Sequence, residues 1–233
     1  MRLILIRHGQ TPNNVLSLLD TAIPGPGLTS VGMEQAAAVP AALRGERING
    51  LYISNLTRTA LTAAPLAADR ALEPVVRSGL REISAGSLEM KGDAESVMAY
   101  LETVKSWLGG DLSVRMPGAD TGLEVLERFD DVVDEAAAGK GGGAVAMVSH
   151  GAMIRFWAGH RATNIDWSDT RYHELSNTGI VTLEGEPGTG SAPGGWKVLD
   201  WRGTPAGGVG GTDFDGPTAE LDAGGTRTED AQR

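Results

Sequence analysis

The chain has 233 residues, 41% of them hydrophobic and 21% charged, which is the balance of a globular protein with one sizeable core; wholesale disorder and fibrous structure are excluded. A formal net charge of −10 argues against a nucleic-acid or membrane-surface role built on a broad basic face, so any anionic ligand has to be held by local chemistry. The absence of cysteine removes disulfides, thiolate metal sites and cysteine nucleophiles together.

The first apolar run is too short for a signal-peptide core, and no stretch approaches the roughly 20 apolar residues of a membrane helix, so a cytoplasmic protein without a membrane partner is expected. Residues 2–7 read as a buried strand that stops at His8-Gly9. Thr29 caps a predicted helix through Leu43, residues 51–54 read as a short strand, and Ser54 or Asn55 precedes a helix through Ala68. Helical spacing follows over 94–107 and 122–138. After a glycine run at 141–143 the opening pattern returns: residues 144–149 form a short apolar strand stopped by His150-Gly151, with a helical stretch at 152–157. Residues 179–183 and 196–201 read as further strands flanking a Gly/Pro/Ser loop at 186–195. Strands alternating with helices predict an α/β layered fold, in which ligands sit at the carboxyl ends of the strands, where His8, Ser54 and His150 all fall. Residues 203–233 hold eight glycines and six acids against two arginines and few large apolar side chains; they are expected to form a flexible acidic tail on a domain spanning 1–202.

Arginine and histidine side by side at a strand end, as in Arg7-His8-Gly9, can meet at one anion. The guanidinium offers a fork of donors to two phosphate oxygens, the imidazole offers a nitrogen nucleophile, and Gly9 lets the backbone come close. Gln10, Thr11 and Asn14 supply hydroxyl and amide donors just beyond. Read alone, the tripeptide is equally a satisfied histidine beside a surface arginine, and Arg58 a solvated helix arginine.

The continuation Arg7-His8-Gly9-Gln10-Thr11-Pro12-Asn13-Asn14 resembles the opening signature of the histidine phosphatase superfamily, the phosphoglycerate-mutase-like proteins. Four further blocks follow in that family's order: residues 28–36 (LTSVGMEQA), residues 52–63 (YISNLTRTALTA), Leu80-Arg81-Glu82-Ile83 with Gly86 and Glu89, and Val148-Ser149-His150-Gly151. The resemblance implies an α/β fold with a mostly parallel central sheet and helices on both faces. It implies His8 as a nucleophile that becomes a transient phosphohistidine, Arg7 and Arg58 as clamps on the nonbridging oxygens, and His150 as a phosphate-binding, transition-state-stabilising group. It makes Glu82 the general acid and base, with Glu89 as the rival carboxylate. Asn14 and Gly151 are expected at the phosphate, with Gln10 and Thr11 as further contacts. No metal and no cofactor is expected, because the arginines beside the histidines would repel a cation.

The chain departs from the family at Met90, where many relatives have glycine, and at Gly118-Ala119-Asp120, where many read G-G-E; both bear on the wall of the pocket rather than on the phosphate site. Between Ile83 and Glu127 the only basic residues are Lys91, Lys105 and Arg115, and residues 12–43 contain none. Such a pocket is poorly equipped for a second phosphate, which favours a metal-independent phosphatase acting on a small phosphorylated metabolite. The alternatives are a cofactor-dependent phosphoglycerate mutase and a noncatalytic phospholigand-binding protein. The oligomeric state is not readable from the sequence.

Overall fold

The computed structural model of the chain describes residues 1–139, 143–187 and 195–210. Most of the expected glycine break at 141–143, most of the expected loop at 186–195 and the expected tail from 211 onward lie outside these residues. Six strands, β1 (Arg2–Arg7), β2 (Ile48–Ile53), β3 (Val75–Val76), β4 (Ala144–Ser149), β5 (Ile180–Gly185) and β6 (Trp196–Arg202), form one sheet in the order β3-β2-β4-β1-β5-β6. The first four of that order run parallel, β5 adds antiparallel to β1 and β6 antiparallel to β5, so the sheet is mostly parallel as expected.

The two central strands are apolar along nearly their whole length because helices cover both of their faces. Successive side chains of a strand point to opposite sides. Leu3, Leu5, Val145 and Met147 therefore pack with Tyr100, Trp107, Phe129, Phe156 and Trp157 from α4 (Ala94–Leu108), α5 (Gly122–Ala138) and α6 (Gly151–Arg161). Ile4, Ile6, Ala146 and Val148 face Val39, Leu43, Ala63 and Leu66 from α2 (Ser30–Ala42) and α3 (Thr57–Arg70). A one-turn helix, α1 (Pro12–Val15), follows the first strand and was not anticipated. It rests on local chemistry: the Thr11 side chain accepts from Asn14 N–H, and the Asn14 side chain accepts from Thr11 N–H. Tyr52, Trp107 and Trp157 belong to the core. Among the described residues, no helix is long and apolar enough to cross a membrane.

The folded unit runs past the expected boundary at 202. Ser176 N–H donates to Gly203 O (2.7 Å), Ala206 N–H donates to Thr178 Oγ1 (3.0 Å), and Gln35 Nε2 donates to Val209 O (3.2 Å). Ala206 is buried with them against the α2 face. Sequence composition understates this segment because glycine-rich chain can still be ordered by backbone hydrogen bonds to side chains elsewhere. A chain ending at Arg202 is expected to melt below one ending at Gly210. Two or three lost bonds, at about 1 kcal/mol each, correspond to roughly 5–10 °C in a protein of this size. Equal melting temperatures by calorimetry would show that these contacts add no stability.

Candidate active site

The parallel pairing of β1 with β4 places Arg7 opposite Ser149, so the next residues of both strands, His8 and His150, emerge side by side. His8 N–H donates to Ser149 O (3.0 Å), and on the other flank of β4 Ser54 N–H donates to Val148 O (3.3 Å). Three neighbouring carboxyl strand ends thus deliver His8, His150 and Ser54 to one place, and the two imidazole centroids lie 5.1 Å apart.

The loop after His8 is held by residues of the second and third sequence blocks. A side chain at Gly9 would meet Gly32 O at 2.7 Å, and one at Gly32 would meet Gln10 O at 2.2 Å, so the start of α2 abuts the loop backbone only because both positions lack Cβ. Gln35 Oε1 accepts from Gln10 N–H (2.9 Å) and Thr62 Oγ1 accepts from Gly9 N–H (2.9 Å). Thr29, the cap of α2, takes up Gln10 by donating to its Oε1 (2.9 Å). Gln10 is therefore turned away from the cleft, whereas Thr11 lines it.

His8 Nδ1 lies 2.8 Å from Gly9 O, and a carbonyl only accepts, so Nδ1 carries the proton and Nε2 carries the lone pair. His150 has the opposite arrangement. Arg58 Nε donates to its Nδ1 (3.3 Å), because a guanidinium only donates, and its Nε2–H donates to Ser54 Oγ (2.8 Å). Burial, with Arg58 and Arg7 as neighbours, holds His8 well below the usual histidine range, and burial with Arg58 does the same for His150. Both rings are neutral at neutral pH.

The cleft is lined by Arg7, His8, Thr11, Asn14, Leu18, Leu19, Asp20, Thr21, Arg58, Glu82 and Tyr100. The cleft is partly open to solvent, so a compact group such as a phosphoryl can sit among these side chains with the rest of an ester toward the mouth. Arg7 is fixed by donation from its NH1 to Leu175 O (2.6 Å), and Asn14 Oδ1 accepts from Thr11 N–H and from Asn177 Nδ2 (3.3 Å). Gly151 lies behind the cleft, where a side chain would meet Arg7 Nε at 3.0 Å; its contribution is room for that guanidinium. His150, fully buried, likewise stands behind Arg58 rather than in the lining.

Glu82 is anchored at the start of α6. Its Oε1 accepts from Ile83 N–H (2.9 Å) and Met153 N–H (2.9 Å), and its Oε2 lies 3.3 Å from Ala152 N, so the helix terminus fixes the carboxylate. Arg128 of α5 fastens the same segment from outside, donating to Gly79 O, Arg81 O and Glu82 O. Burial pushes Arg128 down to about 10, which leaves it charged at neutral pH. Glu89 does something else: its carboxylate accepts from Thr21 N–H, Thr21 Oγ1–H and Ala22 N–H, tying the loop at 20–22 to the segment at 85–89. It is a positioning residue, outside the cleft lining.

Sequence reading missed Asp20, Thr21, Tyr100 and Arg128, none of which stood in a block. Of the departures, Met90 takes a φ of 59°, the left-handed region where the glycine of relatives sits without strain. Asp120 pairs with Arg81 (3.4 Å). His160 and His173 lie apart from the site, each bonded to a backbone carbonyl, of Trp107 and Trp167 respectively.

The sequence profile of the histidine phosphatase superfamily (branch 1) matches residues 3–195. The chain belongs to this superfamily. It is thus an enzyme of the phosphatase and mutase type, as the five sequence blocks implied. A PE-PGRS family protein of Mycobacterium tuberculosis is 34% identical over 218 residues, which are 87% of this chain; the chain spans only 36% of that protein's length. A probable phosphoglycerate mutase of Yersinia enterocolitica is 28% identical over 66% of this chain and 71% of its own. A mycobacterial glucosyl-3-phosphoglycerate phosphatase, solved as its complex with VO3, superposes with a TM-score of 0.69 at 22% identity, covering 87% of this chain and 99% of its own. A phosphoserine phosphatase of Entamoeba histolytica, solved with 3-phosphoglyceric acid, does so with a TM-score of 0.63 at 24% identity, covering 87% and 97%. These structures share the fold.

The depressed histidines carry a stability signature. In the unfolded chain histidine titrates near 6.5, whereas folded His8 and His150 take up protons only at lower pH, so the unfolded state binds more protons between those values. Stability therefore falls as pH drops below about 6.5, and melting temperatures measured between pH 7 and 5 should decline less steeply in His8→Asn than in the parent chain. Parallel declines would place the titrating groups elsewhere.

The carboxylates should separate as well. Glu89→Gln is expected to cost about 1.5–3 kcal/mol of stability through its weakened bonds to Thr21 and Ala22 while leaving the shape of the pH–rate profile unchanged. Glu82→Gln should flatten one limb of that profile. A Glu89→Gln variant that loses a limb would return the acid role to Glu89.

Proposed function

We propose that the chain is a metal-independent phosphatase that hydrolyses a small phosphomonoester through a phosphohistidine on His8. The observation that carries this reading is the hydrogen bond from His8 Nδ1 to Gly9 O, which presents the unprotonated Nε2 in a cleft shared with two arginines and a carboxylate. Nε2 attacks phosphorus, the bond to the ester oxygen breaks, and the departing oxygen takes a proton from Glu82. Water then attacks the phosphohistidine, gives its proton back to Glu82, and the P–N bond breaks to release phosphate and restore His8. Arg7 and Arg58 offset the charge spread over the nonbridging oxygens, and the Asn14 amide adds a donor. His150 holds Arg58 through its Nδ1 and keeps that guanidinium beside His8.

Hydrolysis is preferred to mutase chemistry because, among the described residues, Arg7 and Arg58 are the only cations in the lining, and both belong to the reacting phosphate. The phosphatase neighbours, named for glucosyl-3-phosphoglycerate and phosphoserine, agree with a small phosphorylated metabolite as the substrate class.

A panel of phosphomonoesters assayed in excess EDTA, beside 3-phosphoglycerate isomerisation with and without its bisphosphate activator, tests the proposal. Phosphate release is expected to survive EDTA and to fall by about ten-thousand-fold or more in His8→Ala, with the far-ultraviolet circular dichroism unchanged. Isomerisation without hydrolysis would replace the reading by a mutase, and activity retained in His8→Ala would remove the phosphohistidine.

A further inference from the structure

The cleft contains a carboxylate for which the transfer of a phosphoryl group has no use. Asp20 stands in the lining beside Arg7, His8 and Arg58, with its side chain only 8% exposed. Its Oδ2 accepts from Asn13 Nδ2 (3.0 Å) and lies 3.5 Å from Arg58 NH1, and its backbone carbonyl accepts from Arg58 NH2 (3.0 Å). The lining therefore opposes two guanidiniums with two carboxylates, Asp20 and Glu82.

Apolar side chains stand next to Asp20 as well. Leu18 and Leu19 line the cleft with it, and Met90, half exposed, brings its Sδ to 3.8 Å from the Asn13 amide that holds Asp20. Val15 and Leu16 are exposed just before this stretch. Met90 occupies a left-handed backbone position that glycine would take without strain, so the side chain is kept there at a cost in stability. Asp20 and Leu18 line the same cleft as His8 and the two arginines, so the alcohol part of an ester whose phosphoryl group sits at His8 lies beside them.

We infer that Asp20 is a specificity-determining residue that rejects phosphomonoesters whose alcohol carries a second anionic group near the ester oxygen, and that the substrate is the phosphomonoester of an uncharged, partly apolar alcohol. A second carboxylate or phosphate leaving the cleft past Asp20 meets a fixed, largely desolvated negative charge, with both lining cations already engaged by the reacting phosphate. An uncharged alcohol meets no such repulsion and gains contact with Leu18. This inference rests on the phosphatase reading and narrows its substrate.

The test compares phenyl phosphate with 3-phosphoglycerate, in both kcat/KM and calorimetric affinity, for the parent chain, Asp20→Asn and Asp20→Glu. Loss of the Arg58 contact affects both esters alike, so the ratio between them isolates the charge. The parent chain should favour phenyl phosphate; Asp20→Asn should narrow the ratio by about tenfold, mainly through a lower KM for 3-phosphoglycerate, and Asp20→Glu should restore it. The same ratio in all three proteins overturns the proposal, as does a parent chain that prefers 3-phosphoglycerate. Absence of hydrolysis by the parent chain would remove the phosphatase reading alone. The affinities would then decide, with a preference for phenyl phosphate that Asp20→Asn abolishes supporting Asp20 and equal affinities in parent and variant overturning it.

Discussion

Arg7 and Arg58 carry positive charge to positions only 1% and 2% exposed, beside two imidazoles that are nearly as deeply buried. Burying a charge is costly unless donors and acceptors are arranged around it, and the fold meets that demand with backbone carbonyls, those of Leu175 for Arg7 and Asp20 for Arg58. Burial first, and then the arginine charges, Arg58 foremost, keep His8 and His150 unprotonated, because a further buried cation in that space would be both desolvated and repelled. Clamp and nucleophile are therefore one electrostatic arrangement: the arginines that would bind phosphate also keep a lone pair on the ring that would attack it. It depends in turn on the pairing of Arg7 with Ser149 across β1 and β4, since a shift by one residue would turn His8 or His150 to the opposite face of the sheet.

Much of this was legible in the sequence because the relevant signals are local. Two short apolar runs ending in His-Gly announced two buried strands with chemistry at their carboxyl ends, and the boundaries 2–7 and 144–149 are those observed. Glycine at 9 marked a close approach of backbone, and the structure shows Gly32 O in the space its missing Cβ leaves open, with Gln10 O doing the same at Gly32. What the sequence concealed was set by contacts distant along the chain. Glu89 stood in a block as a rival acid, and only the fold reveals its carboxylate bound to Thr21 and Ala22. Gln10 adjoined the nucleophile in sequence but is drawn off by Thr29. The glycine-rich stretch after 202 had the composition of a tail, yet its first residues are held by Ser176, Thr178 and Gln35, partners that no local pattern advertises.

The site divides into two regions built on different principles. The reacting end is assembled from strand ends and helix starts, rigid elements whose geometry is set by the sheet and by Arg128 and α6 gripping the Glu82 segment. The wall is assembled from the loop at 15–23 and the turn at 88–92, joined by Leu19 N–H to Lys91 O and Met90 N–H to Leu19 O. Loops tolerate change that strand ends do not, so the wall is where one superfamily can vary its choice of alcohol while the phosphoryl machinery stays fixed. The departures of this chain, Met90 and the triplet at 118–120, fall outside the reacting end.

The central claim is that phosphorus passes through His8, and the stereochemical course of hydrolysis tests it most directly. With a phosphomonoester made chiral at phosphorus by oxygen isotopes, two in-line displacements, first by His8 and then by water, predict phosphate of retained configuration. Inverted phosphate would mean a single attack by water, with His8 as no more than a base, and would contradict the account.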